Sequence, residues 1–382
     1  MKYSKEPAFI NRNEEMSYIK NWLNEKAENT LFIYGPKSSG KTTMLYKLVD
    51  ELQQGENTKN KFDIRYYNLR EILITSYKDF LQTFFQEVEE GTTSKKSSLE
   101  LNLKAFKISE ETLKNVATKK IDPFEVLKKE LKDLNEKGIN PVIIVDELQA
   151  LEGIYMNGQR ELIKELFNFF VAMTKESHLC HIIIGSSDGY FIEKIYEDSK
   201  LRKASKFLKV DYLNEEDTKY WLRNLAKESS ITEYKLNEEQ VEAMWSYFGG
   251  SGFEISAFLG DLLRHCKGGI IPKEEFEKEL TQNMVMARSM YLNYVKMDES
   301  KETLMLEIKH LIKKQPKFVY NQLKKLIKEK HYTQEKLKEE LNELVRRNYL
   351  SYDPVTGEYE LQGRSMEIGL EKYQQYLEQN SS

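Results

Sequence analysis

Apolar residues along this chain alternate between helical spacing and short unbroken runs. Met16, Ile19 and Leu23 lie at helical spacing, which predicts a helix over 14–23. Leu31-Phe32-Ile33-Tyr34 follows as a continuous apolar run, and Met44, Leu45, Leu48 and Val49 return to the helical period. Phe62 to Leu69 predicts a second strand, with a helix after it carrying Phe80, Leu81, Phe84, Phe85 and Val88. Residues 91–98 read as a polar surface loop, and 99–120 carry too little patterning to assign. A helix over about 122–137, opened by Asp122-Pro123 and closed by Gly138, leads into Pro141-Val142-Ile143-Ile144-Val145-Asp146. Similar runs come at His181 to Gly185 and Phe207 to Val210. Such runs mark strands buried on both faces, and their alternation with helices predicts a doubly wound parallel α/β domain.

Beyond residue 214 the texture changes. Residues 215–297 read as helical, interrupted by Gly249-Gly250-Ser251-Gly252. Three helical segments follow, marked by Leu304 to Ile312, Val319 to Ile327 and Leu337 to Val345. Tyr349 to Tyr352, a turn at Asp353-Pro354-Val355-Thr356-Gly357, and Tyr359-Glu360-Leu361 predict a hairpin. Three helices and a hairpin describe a winged helix-turn-helix. The expected division is an α/β core over 1–214, a helical lid over 215–297 and a winged helix over 298–382.

Between the first strand and its helix lies Gly35-Pro36-Lys37-Ser38-Ser39-Gly40-Lys41-Thr42, a complete G-x-x-x-x-G-K-T phosphate-binding loop. In that setting backbone N–H groups converge on one point, and the helix presents its positive end to the same place. Gly35 and Gly40 let the chain wrap phosphates closely. Lys41 is expected to reach the β- and γ-phosphate oxygens, and the Thr42 hydroxyl to complete a Mg²⁺ site. Thr43 closes the candidate cradle, which runs from Gly35 through Thr43. The competing interpretation is an ordinary glycine-rich strand-to-helix turn.

A second constellation stands at the end of the third apolar run. In an open α/β sheet, ligands sit beyond the carboxyl ends of the strands. Asp146 and Glu147 are therefore expected at the same edge as the loop. Asp146 suits the metal, and Glu147 suits the orientation or deprotonation of an attacking water. Glu147 could otherwise be a charge beside a helix N-terminus. Ser186 and Ser187, after the next strand, are either γ-phosphate contacts or turn formers. Arg160 and Arg202 are candidate charge stabilisers, with a merely solvated role as the alternative.

Bulk properties narrow the class. The chain has 382 residues, which exceeds one typical domain, and 31% of them are charged. Its net charge of −4 does not make the whole protein a polyanion binder. Yet Lys313 to Arg347 holds eleven Lys and Arg against five Glu. Cys180 and Cys266 show no metal or redox spacing and read as thiols of a reducing compartment. No apolar stretch approaches the ~20 residues that span a bilayer, and the N-terminus lacks a signal-peptide core. The expectation is a cytoplasmic protein with no membrane association.

Taken together, these pieces resemble the archaeal ATPase family, a branch of P-loop NTPases related to the AAA+ and STAND classes. Phe9-Ile10-Asn11-Arg12-Asn13-Glu14-Glu15-Met16 is similar to the family's F-x-x-R-x-x-E-L opening box, which implies a place for Arg12 near the adenine. Gly185-Ser186-Ser187 resembles its G-S-S. Tyr247 to Phe253 resembles G-G-x-P-F, with Gly252 in place of proline. Leu201-Arg202-Lys203-Ala204 resembles L-Y-G-R-A, with Lys203 at the arginine position. The resemblance implies a sheet of the additional-strand class, with the strand ending at Gly185 between the other two motif strands. It implies ATP and Mg²⁺ as ligands, since no Asn-Lys-x-Asp guanine motif occurs. The expected activity is slow ATP hydrolysis driving a molecular switch. The alternatives are a DNA-associated factor that uses ATP to assemble, and a nucleotide-locked scaffold. A winged helix implies a DNA or protein partner; recognition helix 334–347 mixes Glu335, Glu339, Glu340 and Glu343 with Lys336 and Lys338, which also suits a solvated face. Oligomer formation is left open.

Overall fold

A computed structural model describes residues 8–55, 61–87, 106–108, 122–156, 158–198, 203–296 and 298–380 of the chain. Its strands are β1 (Thr30–Tyr34), β2 (Phe62–Asn68), β3 (Phe85–Glu87), β4 (Phe106–Ile108), β5 (Asn140–Asp146), β6 (Tyr155–Met156), β7 (Arg160–Glu161), β8 (His181–Ser186), β9 (Ser205–Lys209), β10 (Lys317–Val319), β11 (Leu350–Asp353) and β12 (Glu358–Leu361). The main sheet is wholly parallel and runs β2-β5-β8-β1-β9. β8 therefore lies between the strand that carries Asp146 and the strand that precedes the phosphate loop, the order the resemblance implies.

Period-two alternation explains why these runs are apolar throughout. Leu31, Ile33, Val142, Ile144 and Ile183 face Met44, Leu45 and Leu48 of the helix Lys41–Gln54. Their neighbours Phe32, Ile143, Val145, Ile182 and Ile184 face the opposite layer, where Leu162, Leu166 and Phe170 come from the helix Leu162–Val171. Along the inner strands β1, β5 and β8 neither face meets water, so polar residues fall at their ends. In the edge strand β2, Arg65 is buried mid-strand by pairing with Asp63 and Glu130. The predicted first helix is Asn13–Asn24, and the helix predicted over 122–137 is Pro123–Glu136, N-capped by the Asp122 carboxylate.

Two boundaries differ from expectation. The helix expected to include Phe85 ends at Phe84, because 85–87 pair in parallel with 106–108; Val88 lies outside the described residues. That pairing also gives three residues of the unassigned 99–120 stretch a place; the 91–98 loop lies outside the described residues. The helix expected from Val319 begins only at Lys324, because Val319 joins β10 and residues 320–323 form a 3-10 turn. β10 adds to the hairpin in the order β10-β12-β11, giving a three-stranded wing sheet.

Two further cores lie in the C-terminal half. One gathers Trp221, Val241, Met244, Phe248, Ile255, Phe258 and Phe276. The other gathers Tyr291, Tyr294, Leu304, Ile308, Leu337, Leu341, Tyr359 and Leu370. The helix Lys273–Val295 belongs to both, contributing Phe276 to the first and Tyr291 and Tyr294 to the second. A final helix, Arg364–Asn380, runs against it. At their crossing a Cβ on Gly369 would stand 2.9 Å from Ala287 Cβ and 3.0 Å from its backbone carbon. Gly369→Leu is therefore expected to destabilise the C-terminal unit by about 1–3 kcal/mol or more, since backbone cannot yield to the added side chain. Urea denaturation followed by tyrosine absorbance measures it, and an unchanged midpoint would refute the close crossing.

Candidate functional site

The phosphate loop is shaped by backbone that only particular residues tolerate. Gly35 has φ 146°, and a Cβ there would fall 2.1 Å from the Val210 carbonyl oxygen. Gly40 has φ 92° and Ser38 φ 67°, so the loop reverses twice before the helix begins at Lys41. Pro36 and Ser39 are buried, Lys37 is exposed, and Thr43 is half-buried in the first helical turn. Lys41 Nζ donates to the carbonyls of Gly35 at 2.9 Å and Pro36 at 2.8 Å. Burial pulls the Lys41 pKa down to about 8, opposed by the nearby carboxylates of Glu147 and Asp146. The Ser39 hydroxyl is buried without a hydrogen-bond partner.

Parallel pairing brings the acidic tip to this loop. Asp146 lies opposite Gly185, and Tyr34 opposite Ser186, so three strand ends share one edge. The Thr42 hydroxyl donates to Asp146 Oδ2 at 2.7 Å, and the Tyr66 hydroxyl donates to the same oxygen at 3.2 Å. Asp146 Oδ1 is buried and unpartnered. A Cβ on Gly185 would lie 2.2 Å from it, so glycine is what leaves this oxygen its room. An oxygen-only pair of Thr42 and Asp146 with one uncommitted carboxylate oxygen fits a hard divalent cation.

Glu147 is held in the left-handed region at φ 61°, a conformation that costs about 1–3 kcal/mol for a residue with a side chain. Its carboxylate meets the Arg70 guanidinium at 2.9 Å, the Gln149 amide, and the Ser187 hydroxyl at 3.4 Å. Burial raises its pKa, an effect that Arg70 opposes. Ser186 Oγ donates to Gln149 Oε1 at 3.0 Å and accepts from the Asp188 N–H at 3.1 Å. Glu147 and Ser186 thus share Gln149. Arg70 also donates to Ser187 at 3.1 Å.

Sequence reasoning missed Arg70 and Gln149. The signal for Arg70 was available: it follows β2, whose carboxyl end reaches the same edge, with Asn68 opposite Asp146. Of the proposed arginines, Arg12 donates to the carbonyls of Ser39 at 2.8 Å and Asp211 at 2.5 Å and pairs with Glu15. It clamps the loop to the linker that leads to the helical unit. Arg160 is exposed on the β6–β7 hairpin, 3.9 Å from Glu165. Arg202 lies outside the described residues, and Lys203 is exposed.

A parallel sheet with β8 inserted beside β1, a glycine-shaped phosphate loop, and an acidic β5 tip touching its threonine define the P-loop ATPase class. Residues 9–258 match a family of ATPase domains found predominantly in Archaea, and the chain belongs to that family. It is 32% identical over 354 residues to an uncharacterised ATP-binding protein of Methanocaldococcus jannaschii, covering 91% of this chain and 90% of that one. A second such protein of that organism is 38% identical over 230 residues, 60% of this chain and 66% of its own. Among solved structures, the Walker-type ATPase PABY2304 of Pyrococcus abyssi superposes with a TM-score of 0.62 at 16% identity, over 96% of this chain and 99% of that one. The ORC2 protein of Aeropyrum pernix gives 0.51 at 13% identity, over 98% and 97%. No helix among the described residues is long and apolar enough to cross a membrane.

Two measurements probe this geometry. Gly185→Ala should push the Asp146 carboxylate off its position and weaken Mg²⁺-dependent triphosphate binding by at least about tenfold, or 1.4 kcal/mol. Calorimetry with Mg²⁺ and with chelator separates this from a general loss, which would leave both arms equally weak. For pH, Lys41 is a cation below about 8 and neutral above it. Triphosphate affinity should therefore fall as pH rises through that value, and Lys41→Ala should abolish this pH dependence.

Proposed function

We propose that this protein binds ATP and hydrolyses it slowly in a Mg²⁺-dependent way, as a nucleotide-driven switch. The observation that carries the proposal is the contact between the loop threonine and the β5 carboxylate, with Glu147 beside them. Family membership and relatives named as ATP-binding support the choice of nucleotide. In this reading the amides of residues 35–43 and the Lys41 ammonium hold the β- and γ-phosphates. Thr42 and Asp146 would hold Mg²⁺, which when bound offsets charge on the phosphate oxygens. Glu147 orients the attacking water and takes its proton, a contribution of about 10²–10⁴-fold for a positioned base. Ser186, reaching the same edge, would contact the γ-phosphate. Arg12 fixes the loop against the linker beside the adenine side.

Arg70 supplies a reason for slow turnover. Its guanidinium holds Glu147 by an ion pair, and the base must leave that pair to serve a water. The 1–214 core would then signal to a lid over 215–297 and a winged helix over 298–382.

A second reading has its own support. Lys313, Lys314, Lys324, Lys328 and Lys330 stand exposed in the winged-helix unit, which suits contact with a phosphate backbone. Lys336 and Lys338 are instead engaged, the first with Asp298 at 3.1 Å and the second over the Tyr320 ring.

Phosphate release by the purified chain, with and without duplex DNA, tests both readings. Glu147→Gln should retain ATP binding and lose turnover, whereas Lys41→Ala should lose turnover and weaken binding without abolishing it. Arg70→Ala should raise basal turnover severalfold. Stimulation by DNA that fades with salt would favour a DNA-associated assembly factor, and tight binding without hydrolysis would favour a nucleotide-locked scaffold. Turnover untouched by Lys41→Ala and Glu147→Gln would refute the site.

A further inference from the structure

The wing exposes its turn at Val355 and Thr356, while its strands grip the rim of the phosphate loop. Tyr34, the last residue before Gly35, donates its hydroxyl to Asp353 Oδ1 at 3.2 Å. Lys209, paired with Tyr34 across β1 and β9, lies 3.7 Å from both Asp353 and Glu360 and 3.0 Å from Asp211. Beyond the wing, the Gln362 carboxamide rests on the Lys37 peptide, whose carbonyl also accepts from the Tyr212 hydroxyl at 3.0 Å. A second grip falls on the segment after β8. The Tyr352 ring stacks on Tyr190 at 4.4 Å with planes 12° apart, and its hydroxyl donates to Glu193 at 2.7 Å. Gly189 permits this approach, since a Cβ there would stand 2.0 Å from the Tyr352 carbonyl oxygen.

The wing therefore touches both segments that a γ-phosphate would disturb: residues 34–37, and the stretch following Ser186. Two physical effects give the direction. Lys41 donates to the carbonyls of Gly35 and Pro36, so drawing it onto a phosphate shifts the very residues to which the wing is tied. The wing also brings two carboxylates, Asp353 and Glu360, to a cleft lined by Gly35 and Pro36, with Lys209 as their shared counter-charge. A triphosphate places further negative charge on the other side of that rim, and like charges at short range repel. We infer that the wing is an intramolecular latch on the phosphate loop, released by ATP and retained without it. The inference rests on the nucleotide reading above and adds the element that the nucleotide moves.

Acylation of Lys209 by a water-soluble succinimidyl ester, quantified by peptide mass spectrometry on the full chain, reads the latch directly. Gly189→Ala sets the unlatched level, because the displaced carbonyl belongs to backbone and only movement of the wing relieves it. Asp353→Asn and Tyr352→Ala serve the same end should Gly189→Ala fail to fold. Labelling is expected to be slow without nucleotide and with ADP. It should rise severalfold toward the unlatched level with a non-hydrolysable triphosphate and Mg²⁺. Labelling that stays slow while calorimetry shows the triphosphate bound overturns the latch and leaves the binding site standing. Labelling in the folded variants no faster than in the parent also overturns it. If calorimetry shows no triphosphate bound, the nucleotide reading falls and the latch with it.

Discussion

The arrangement depends on one hydrogen bond between distant parts of the chain, from the Thr42 hydroxyl to the Asp146 carboxylate. It can form only because two parallel strands end level with each other, one strand apart. Thr42 lies in the first turn of a helix that packs under the sheet through Met44, Leu45 and Leu48, and Asp146 ends a strand that is buried from Pro141 onward. A buried carboxylate is costly to keep charged without partners. Here the penalty is offset by two hydroxyls on one oxygen, while the other oxygen remains uncommitted. Structural economy would have paired both; the leftover acceptor is the feature a cation needs.

The sheet order gives this contact its environment. β8 separates β1 from β5 and contributes Gly185, the one residue small enough to pass beside Asp146. Ser186 then follows at the tip, where it shares Gln149 with Glu147. Apart from the Tyr66 hydroxyl, the polar residues of the site are thus confined to strand ends, to the turns just beyond them and to the first turn of the helix Lys41–Gln54. Within the strands, alternation between two apolar layers leaves them nowhere else to go.

Much of this was legible in the sequence, and the reasons differ from element to element. Fully buried strands announce themselves as unbroken apolar runs, and the loop between Gly35 and Thr42 carries its geometry in its glycines. The second strand was found, but its consequence was not followed to the tip, so Arg70 escaped notice. Phe85 and Val319 sat in patterns with helical spacing, yet strand partners at 106–108 and 358–360 captured them. Such pairings lie in residues distant along the chain and leave no local trace. The wing's position was likewise hidden, because Asp353 and Tyr34 are separated by more than three hundred residues and nothing in either neighbourhood points to the other.

The helix Lys273–Val295 has a mechanical consequence of its own. Its 23 residues make a rod about 34 Å long at ~1.5 Å per residue, with one end sunk in the core around Phe276 and the other in the core around Tyr291. A rod anchored at both ends transmits rotation rather than absorbing it. Swinging either core about its own contacts would therefore crank the other through the same axis, so the two C-terminal units have one shared degree of freedom where a flexible tether would have given them several.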